Sequence, residues 1–501
     1  MGFLFCLILF NPVTATNEKI SESTNITHGE ILNYSNEVKV INEFISKSKI
    51  DDILINDFNV WPLIRLSVID KLLINEGVFG VRNHSTLKLS HLLSVIYNSI
   101  VSLFSLMMAI RLGRRKFLFV GFSRRTKDGS QAIDKFHDPI INELNSKDCV
   151  MIERPFKAKH FSRRATQCPI VNLDFFVYFT EFYSRAFSFF YRLRYKADLS
   201  ALANKLEPIF SDRSFIIKST SREIAKFHIQ NLFNNYLLKI FQPQKVIVTN
   251  RGLHLSLIYC ANKAMIETSE LQHGITLAND ISYTEQNDGL LGVNNFLAFG
   301  DYWCQGYKWA GNETQVISFG FKYIEDKRNN LIVKKPAKKQ NLKKVLFISQ
   351  PELYEQINTE LDLIAKNNRD CNFVLKLHPQ DIQGYRERYS VALSNTNVTV
   401  LDNQICDNYS LFYSFDYVFG YNSTMLYEAY YFGCSVFIVN FTNMNLSSVF
   451  GDSMECFAEL TQPVINFNVK ETTSKANDVG KLFFSSSNKN ILYEFFKGRK
   501  V

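Results

Sequence analysis

Short apolar runs rich in Val, Ile, Leu and Phe recur from Lys116 onward, and each stops at a glycine, a proline or a polar turn. The first set is "KFLFVGF" (Lys116 to Phe122), "CVMIERP" (Cys149 to Pro155), "KVIVTN" (Lys245 to Asn250), "AMIETSELQHG" (Ala264 to Gly274), "NNFLAFG" (Asn294 to Gly300) and "TQVISFGF" (Thr314 to Phe321). The second is "KVLFISQP" (Lys344 to Pro351), "NFVLKLHP" (Asn372 to Pro379), "VTVLD" (Val398 to Asp402), "DYVFGYN" (Asp416 to Asn422) and "CSVFIVNF" (Cys434 to Phe441). Runs of this length and composition read as strands buried on both faces. Helical segments lie between them, including the amphipathic "ELYEQINTELDLIAKN" and the long aromatic stretch from Phe175 to Phe241. Strand and helix in alternation imply a parallel sheet covered on both sides. The fold class is therefore α/β, with two doubly wound parallel-sheet domains facing a cleft at their carboxyl strand ends.

The expected organisation has five parts. Residues 1–113 form a mostly helical N-terminal region, and 114–324 the first Rossmann-like domain. Residues 325–344, charged and poor in apolar side chains, form a linker. Residues 345–470 form the second Rossmann-like domain, and 471–501 a helical tail. The chain opens on "MGFLFCLILF", which lacks a basic flank and is too short to span a bilayer. A weak signal peptide and a mis-assigned start both fit it. A second apolar stretch, Leu92 to Ile110, is long enough to span but carries four serines and an asparagine. It reads as a buried helix, with an interfacial membrane helix as the second reading.

Composition narrows the functional classes. With 46% hydrophobic and 21% charged residues over 501 positions, the chain has ample core. Its formal net charge of +9 gathers in clusters such as "RLGRRK" and "SRRTK". Those clusters suit solubility or an anionic partner. Nucleic acid is not the expected partner, because no zinc-finger, RNA-recognition or helix-turn-helix pattern stands out. The nine cysteines contain no C-x-x-C, which argues against a zinc site or a disulfide framework and fits a cytoplasmic protein.

Candidate chemistry sits where strands end. His378 follows "FVLKL", where Pro379 stops the strand, and Lys376 precedes it. In "GYNSTMLYEAYYFG" a strand ends at Gly420, and Asn422 or Ser423 caps the next helix. That helix start is an anion site to which Ser423 and Thr424 add hydroxyls, and Glu428 lies one turn on. His273, in "LQHG", ends a strand of the first domain. An imidazole titrating near ~6.5 suits a general base, and Asp280 or Asp288 could orient it or take its place. The loop "GFSRRTKDG" offers Gly121, Arg124 and Arg125 to an acceptor or a phosphate. Each of these has a plain structural alternative: a capped helix, a turn histidine, a solvated basic loop. No D-x-D, H-E-x-x-H or G-x-S-x-G occurs, so no metal ligand set and no cofactor is expected.

The order Q-H-G, linker, H-P, S-T-x-x-x-E resembles the GT-B-fold glycosyltransferases of bacterial capsule and O-antigen (surface polysaccharide) biosynthesis. Kdo transferases, bacterial sialyltransferases and teichoic-acid glycerophosphotransferases share related patterns. "NVWPLIR" (Asn59 to Arg65) and "KFLFVGFSRRTK" are similar to segments of proteins encoded in such loci. The resemblance implies transfer of a sugar from a nucleotide-activated donor to a growing glycan or lipid-linked acceptor. It implies His273 as base and no metal, with His378, Ser423 and Thr424 on phosphate and Glu428 on ribose. Gln272-His273-Gly274 replaces the acidic D/E-D/E-G of many sialyltransferases, which puts a sialic acid donor in doubt. Inversion at the sugar and peripheral contact with the cytoplasmic face of the inner membrane are further expectations. A CDP-glycerol or CDP-ribitol polyol-phosphate transferase, a nucleotide-sugar 2-epimerase and a non-catalytic assembly protein remain alternatives.

Overall fold

The computed structural model describes residues 43–44, 47–48, 50, 53–55, 58–75, 89–122, 125–156, 160–161, 163–276, 289–304, 314–332, 343–378, 381–401, 408–441, 446, 454–465, 467, 482–486 and 489–497. The opening apolar decapeptide lies outside them.

Seven strands build the first sheet: β1 (Phe117–Gly121), β2 (Cys149–Glu153), β3 (Ile170–Asn172), β4 (Lys245–Thr249), β5 (Glu267–Leu271), β6 (Asn295–Ala298) and β7 (Gln315–Ser318). They lie in the order β7-β6-β5-β4-β1-β2-β3, all parallel. Every residue of β1 and β2 is buried, as continuous apolar runs demand of strands covered on both faces. The order reverses between β1 and β4, which opens a crevice beyond Gly121 and Thr249.

Six strands build the second sheet: β8 (Lys343–Ile348), β9 (Cys371–Lys376), β10 (Val398–Leu401), β11 (Tyr417–Gly420), β12 (Ser435–Val439) and β13 (Ala458–Leu460). Their order is β10-β9-β8-β11-β12-β13, again all parallel, with the reversal between β8 and β11. The chain is thus an α/β fold of two doubly wound parallel sheets, as its alternating pattern requires.

Helices cover these faces. The N-terminal region contributes α1 (Trp61–Asn75) and α2 (Leu89–Leu112), preceded by a two-stranded antiparallel pair, Leu54–Ile55 with Phe58–Asn59. The Trp61 N–H donates to Asn59 Oδ1 at 2.9 Å, which fixes the start of α1. The stretch from Phe175 to Phe241 divides into α3 (Asp174–Arg194), α4 (Lys196–Leu206) and α5 (Arg213–Phe241). Asp212 caps α5 by accepting the Phe215 N–H at 2.9 Å. The segment read as a linker starts with a helix, Lys322–Ile332, and Lys343 and Lys344 already belong to β8.

One expectation is overturned. The apolar helix α2 is not buried: of the most apolar stretch within Leu93–Leu112, only 17% is buried. Only one flank, through Ser102, Leu106 and Ala109, faces the globule. Hydropathy gave its length, but its stripe of bulky side chains turns outward.

The two sheets share a continuous apolar seam. Trp303, just after β6, packs against Tyr427 of α6 (Thr424–Tyr431) with ring centroids 5.0 Å apart. The C-terminal helix α7 (Lys489–Lys497) sets Phe496 edge-on to Phe117 of β1.

Candidate active site

In the first domain, Gln272 prepares the position of His273. Its Oε1 accepts the Phe299 N–H at 2.7 Å, and its Nε2 donates to the Gly274 carbonyl at 2.9 Å and to Thr276 Oγ1 at 3.2 Å. The amide thereby pins the turn after β5 to the end of β6. His273 follows, half-buried, with its ring 6.4 Å from that of Phe122 beyond β1. A cavity of about 140 Å³ opens beside it, lined by Arg65, Asn250, Arg251, His273, Gly274 and Thr276, among others. Arg65 arrives from α1. Arg251 follows β4, where Asn250 takes a left-handed φ of 58°. The Arg251 N–H donates to Glu270 Oε1 at 3.0 Å, and its guanidinium lies 3.8 Å from the other oxygen. The cavity thus gathers two guanidinium groups, an amide and an imidazole at carboxyl strand ends next to the switch point.

Beneath it lies a buried polar network. Arg125 pairs with Asp138 at 2.8 Å and with Glu153, at the end of β2, at 3.0 Å. Asp134 accepts the Phe122 N–H at 2.6 Å and pairs with the His137 ring at 2.8 Å. His137 Nε2 in turn lies 3.1 Å from Thr249 Oγ1. Burial and the neighbouring Asp134 push Asp138 up to about 6, against the pull of Arg125. Burial opposes ionisation of Asp134 too, but His137 and Arg125 hold it below the ordinary carboxylate range. Arg125 is therefore fully enclosed and fastens the loop after β1, rather than lining an open pocket. Gly121 has a packing reason of its own: a Cβ there would stand 2.8 Å from Met151 Sδ.

In the second domain, the His378 N–H donates to Ser349 Oγ at 2.7 Å, and that hydroxyl donates to Asp381 Oδ2 at 2.7 Å. Arg388 and the Tyr389 hydroxyl, each at 3.0 Å, complete the shell of the buried Asp381. This frame holds His378 half-buried at the β9 end, while Lys376 is buried. Across the switch point, the Asn422 N–H donates to Gln350 Oε1 at 3.0 Å and its carbonyl accepts from Gln350 Nε2 at 2.7 Å. Ser423 is the N-cap of α6, accepting the Met425 N–H at 3.3 Å. Asn422 is exposed, and Ser423 and Thr424 are half-exposed. Glu428 is buried, 3.5 Å from the Tyr409 hydroxyl. A ribose hydroxyl reaches it only if that packing opens.

No family model matches this chain, and no curated protein matches it in sequence. Solved structures do match in shape. A UDP-GlcNAc 2-epimerase from Neisseria meningitidis bound to UDP-GlcNAc aligns at a TM-score of 0.44 and 14% identity, over 76% of this chain and 99% of that one. MurG from Acinetobacter baumannii aligns at 0.42 and 10%, over 77% and 100%. A variant of the wall teichoic acid polymerase TagF aligns at 0.41 and 11%, over 82% and 97%.

Of the residues singled out from sequence, the first domain sets His273 at a cavity and Arg125 in the network below. The second gathers His378, Asn422, Ser423 and Thr424 around its own switch point. Asp280, Asp288 and Arg124 lie outside the described residues. Sequence reading did not reach Arg65, Asn250 and Arg251 as neighbours of His273. "NVWPLIR" held the signal for Arg65, but nothing local says that α1 docks at the end of β5. Nor did it separate Gln272 and Gln350, which hold turns, from polar residues that merely fill them.

Proposed function

We propose that this chain is a GT-B-type, metal-independent glycosyltransferase of bacterial surface-polysaccharide synthesis, acting in the cytoplasm on a nucleotide-activated sugar. The carrying observation is the cavity that joins His273 to Arg65, Arg251 and Asn250 at the carboxyl end of the first sheet. The donor nucleotide lies against the second domain, with its phosphates at the start of α6 near Ser423 and Thr424 and near His378. The acceptor, a growing glycan or lipid-linked glycan, enters the His273 cavity. His273 takes the proton of an acceptor hydroxyl, whose oxygen bonds to the anomeric carbon. The bond from that carbon to the phosphate oxygen breaks, and the helix end, hydroxyls and His378 receive the negative charge. Attack opposite the leaving group makes the transfer inverting. Asp280 and Asp288 are the rivals of His273 for the base.

Two arginines at the cavity also suit a phosphorylated acceptor. That observation keeps polyol-phosphate transfer from CDP-glycerol or CDP-ribitol as a second reading. Thermal-shift measurements with CMP, UDP, GDP and CDP come first, since a nucleotide that binds the native state raises its melting temperature. Product analysis with the matching sugar and polyol donors then separates the two transfers. His273→Ala is expected to lower transfer about 10²–10⁴-fold while leaving the nucleotide-induced shift intact. Absence of any nucleotide-induced shift defeats the proposal, whereas full activity in His273→Ala removes His273 as the base and leaves Asp280 or Asp288 in that role. Turnover of the donor without an acceptor points to epimerisation instead.

A further inference from the structure

Helix α2 runs for 24 residues without one acidic side chain. Leu93, Tyr97, Ile100, Phe104 and Met107 recur three or four positions apart and form one stripe, and all of them face solvent. Tyr97 is 69% exposed and Phe104 63%, values that a stripe packed on a core does not show. The opposite flank is fastened to the globule. Ser102 Oγ accepts the Phe175 N–H at 2.8 Å, and Ser105 Oγ accepts the Asn172 N–H at 2.9 Å. Leu106, Ala109 and Leu112 complete the apolar cover of the first sheet. The adjoining helix α3 exposes an aromatic row of its own, Phe179, Phe187 and Phe190, linked through Tyr183 by rings 4.5–6.4 Å apart. The charge around this surface is positive. Arg111 and Arg114 are exposed at the end of α2, with no ion pair among the described residues. Arg192 lies over the Phe189 ring, Arg194 ends α3 and Lys196 opens α4.

We propose that the outward face of α2, with the aromatic row of α3, docks on the surface of a bilayer containing anionic lipids. A row of large apolar side chains flanked by exposed arginines matches an acyl boundary below anionic headgroups. Tyr97 has the amphipathic ring that favours the headgroup level, and the phenylalanines and Leu93 suit the acyl boundary just below it. At about 1.5 Å per residue, α2 is long enough to span a bilayer. It does not span, because lifting it off would strip the cover from the sheet and the Ser102 cap from α3. The helix lies in the membrane plane, with the globule above it. This inference does not depend on which transfer the chain performs.

Flotation of the full chain tests it, with vesicles of phosphatidylcholine alone and with about 30% phosphatidylglycerol. The chain is expected to float with the anionic vesicles, to float far less with phosphatidylcholine alone, and to lose binding as salt rises. Phe104→Glu/Met107→Glu and Arg111→Glu/Arg114→Glu are each expected to weaken anionic-vesicle binding about tenfold or more. Both doubles alter exposed side chains, so their melting temperatures and far-UV dichroism are expected to match the parent. A parent that floats with neither vesicle overturns the proposal, as does Phe104→Glu/Met107→Glu floating like the parent. Equal binding to both vesicles removes the anionic lipid. A parent that resists alkaline extraction spans the membrane instead. A parent dimer that Phe104→Glu/Met107→Glu dissociates shows that a second copy covers the face.

Discussion

At the residue scale, the two members of the Gln272-His273 pair divide the work. Gln272 has its amide satisfied on both sides, while His273 alone reaches the cavity. Gln272→Leu leaves the buried Phe299 N–H without its acceptor, which costs about 1–3 kcal/mol. It also frees the turn, so on the proposed function transfer is expected to fall further than stability. Denaturant midpoints and turnover on one preparation check this, and unchanged turnover would show that His273 needs no such clamp. A second residue-scale expectation concerns pH. His160 bridges Asp174 at 2.6 Å and Glu153 at 3.3 Å. Burial works against its charge, but those two carboxylates prevail and lift it to about 9. The native state thus holds this proton more tightly than the unfolded chain does. Its stabilisation is complete below pH ~6.5, fades as pH rises to about 9, and is on the order of 2–3 kcal/mol. Urea midpoints between pH 6 and 9.5 should fall in the parent and stay flatter in His160→Gln. The sequence singled out His273 and His378 as candidates because each stands at a strand end. It hid Arg65, because proximity to His273 across 208 positions of chain leaves no local mark.

At the element scale, strands were readable and helix faces were not. A strand buried on both sides announces itself as an unbroken apolar run, and β1, β2, β8 and β12 each follow one. A helix announces its length, but which flank it buries depends on partners elsewhere. Helix α2 has the hydropathy of a core helix and turns most of that surface outward. The breaks near Tyr195 and before Asp212 likewise divide an aromatic stretch that reads as continuous. What seats α2 is a cap lent from one helix to another. The Phe175 N–H, in the first turn of α3, has no carbonyl of its own helix to meet, and Ser102 supplies the acceptor. Ser102→Ala is expected to cost about 1 kcal/mol, in the range of a lost N-cap, and to speed amide exchange in the first turn of α3. Exchange that speeds in α2 alone would mean that the serine serves its own helix. Ser102→Thr, which keeps the hydroxyl, should restore much of the protection.

At the scale of the whole molecule, two Rossmann-ordered sheets could unfold separately, and the sequence gives no sign that they do not. Each sheet is specified by local alternation, whereas the seam joining them is made by residues far apart in the chain. Trp303 is fully buried, donates Nε1–H to the Phe483 carbonyl at 2.7 Å, and packs on Tyr427 of the second domain. Tyr427 in turn meets Phe483 at 5.0 Å, so the first domain, the second domain and the C-terminal segment converge on one point. Gly300 sits against the same segment, where a Cβ would collide with the Leu482 carbonyl oxygen. A shared core of this kind makes the sheets unfold together. Calorimetry of the parent is expected to show one cooperative transition. Trp303→Ala removes the indole and orphans the Phe483 carbonyl, at a cost of about 3–5 kcal/mol. Because the loss falls on the seam and not inside either sheet, the transition is expected to split in two. If a nucleotide binds against the second domain as proposed, adding it should then raise only that domain's transition. Two transitions in the parent, or a single transition merely lowered in Trp303→Ala, would mean that the coupling runs through other contacts than this one.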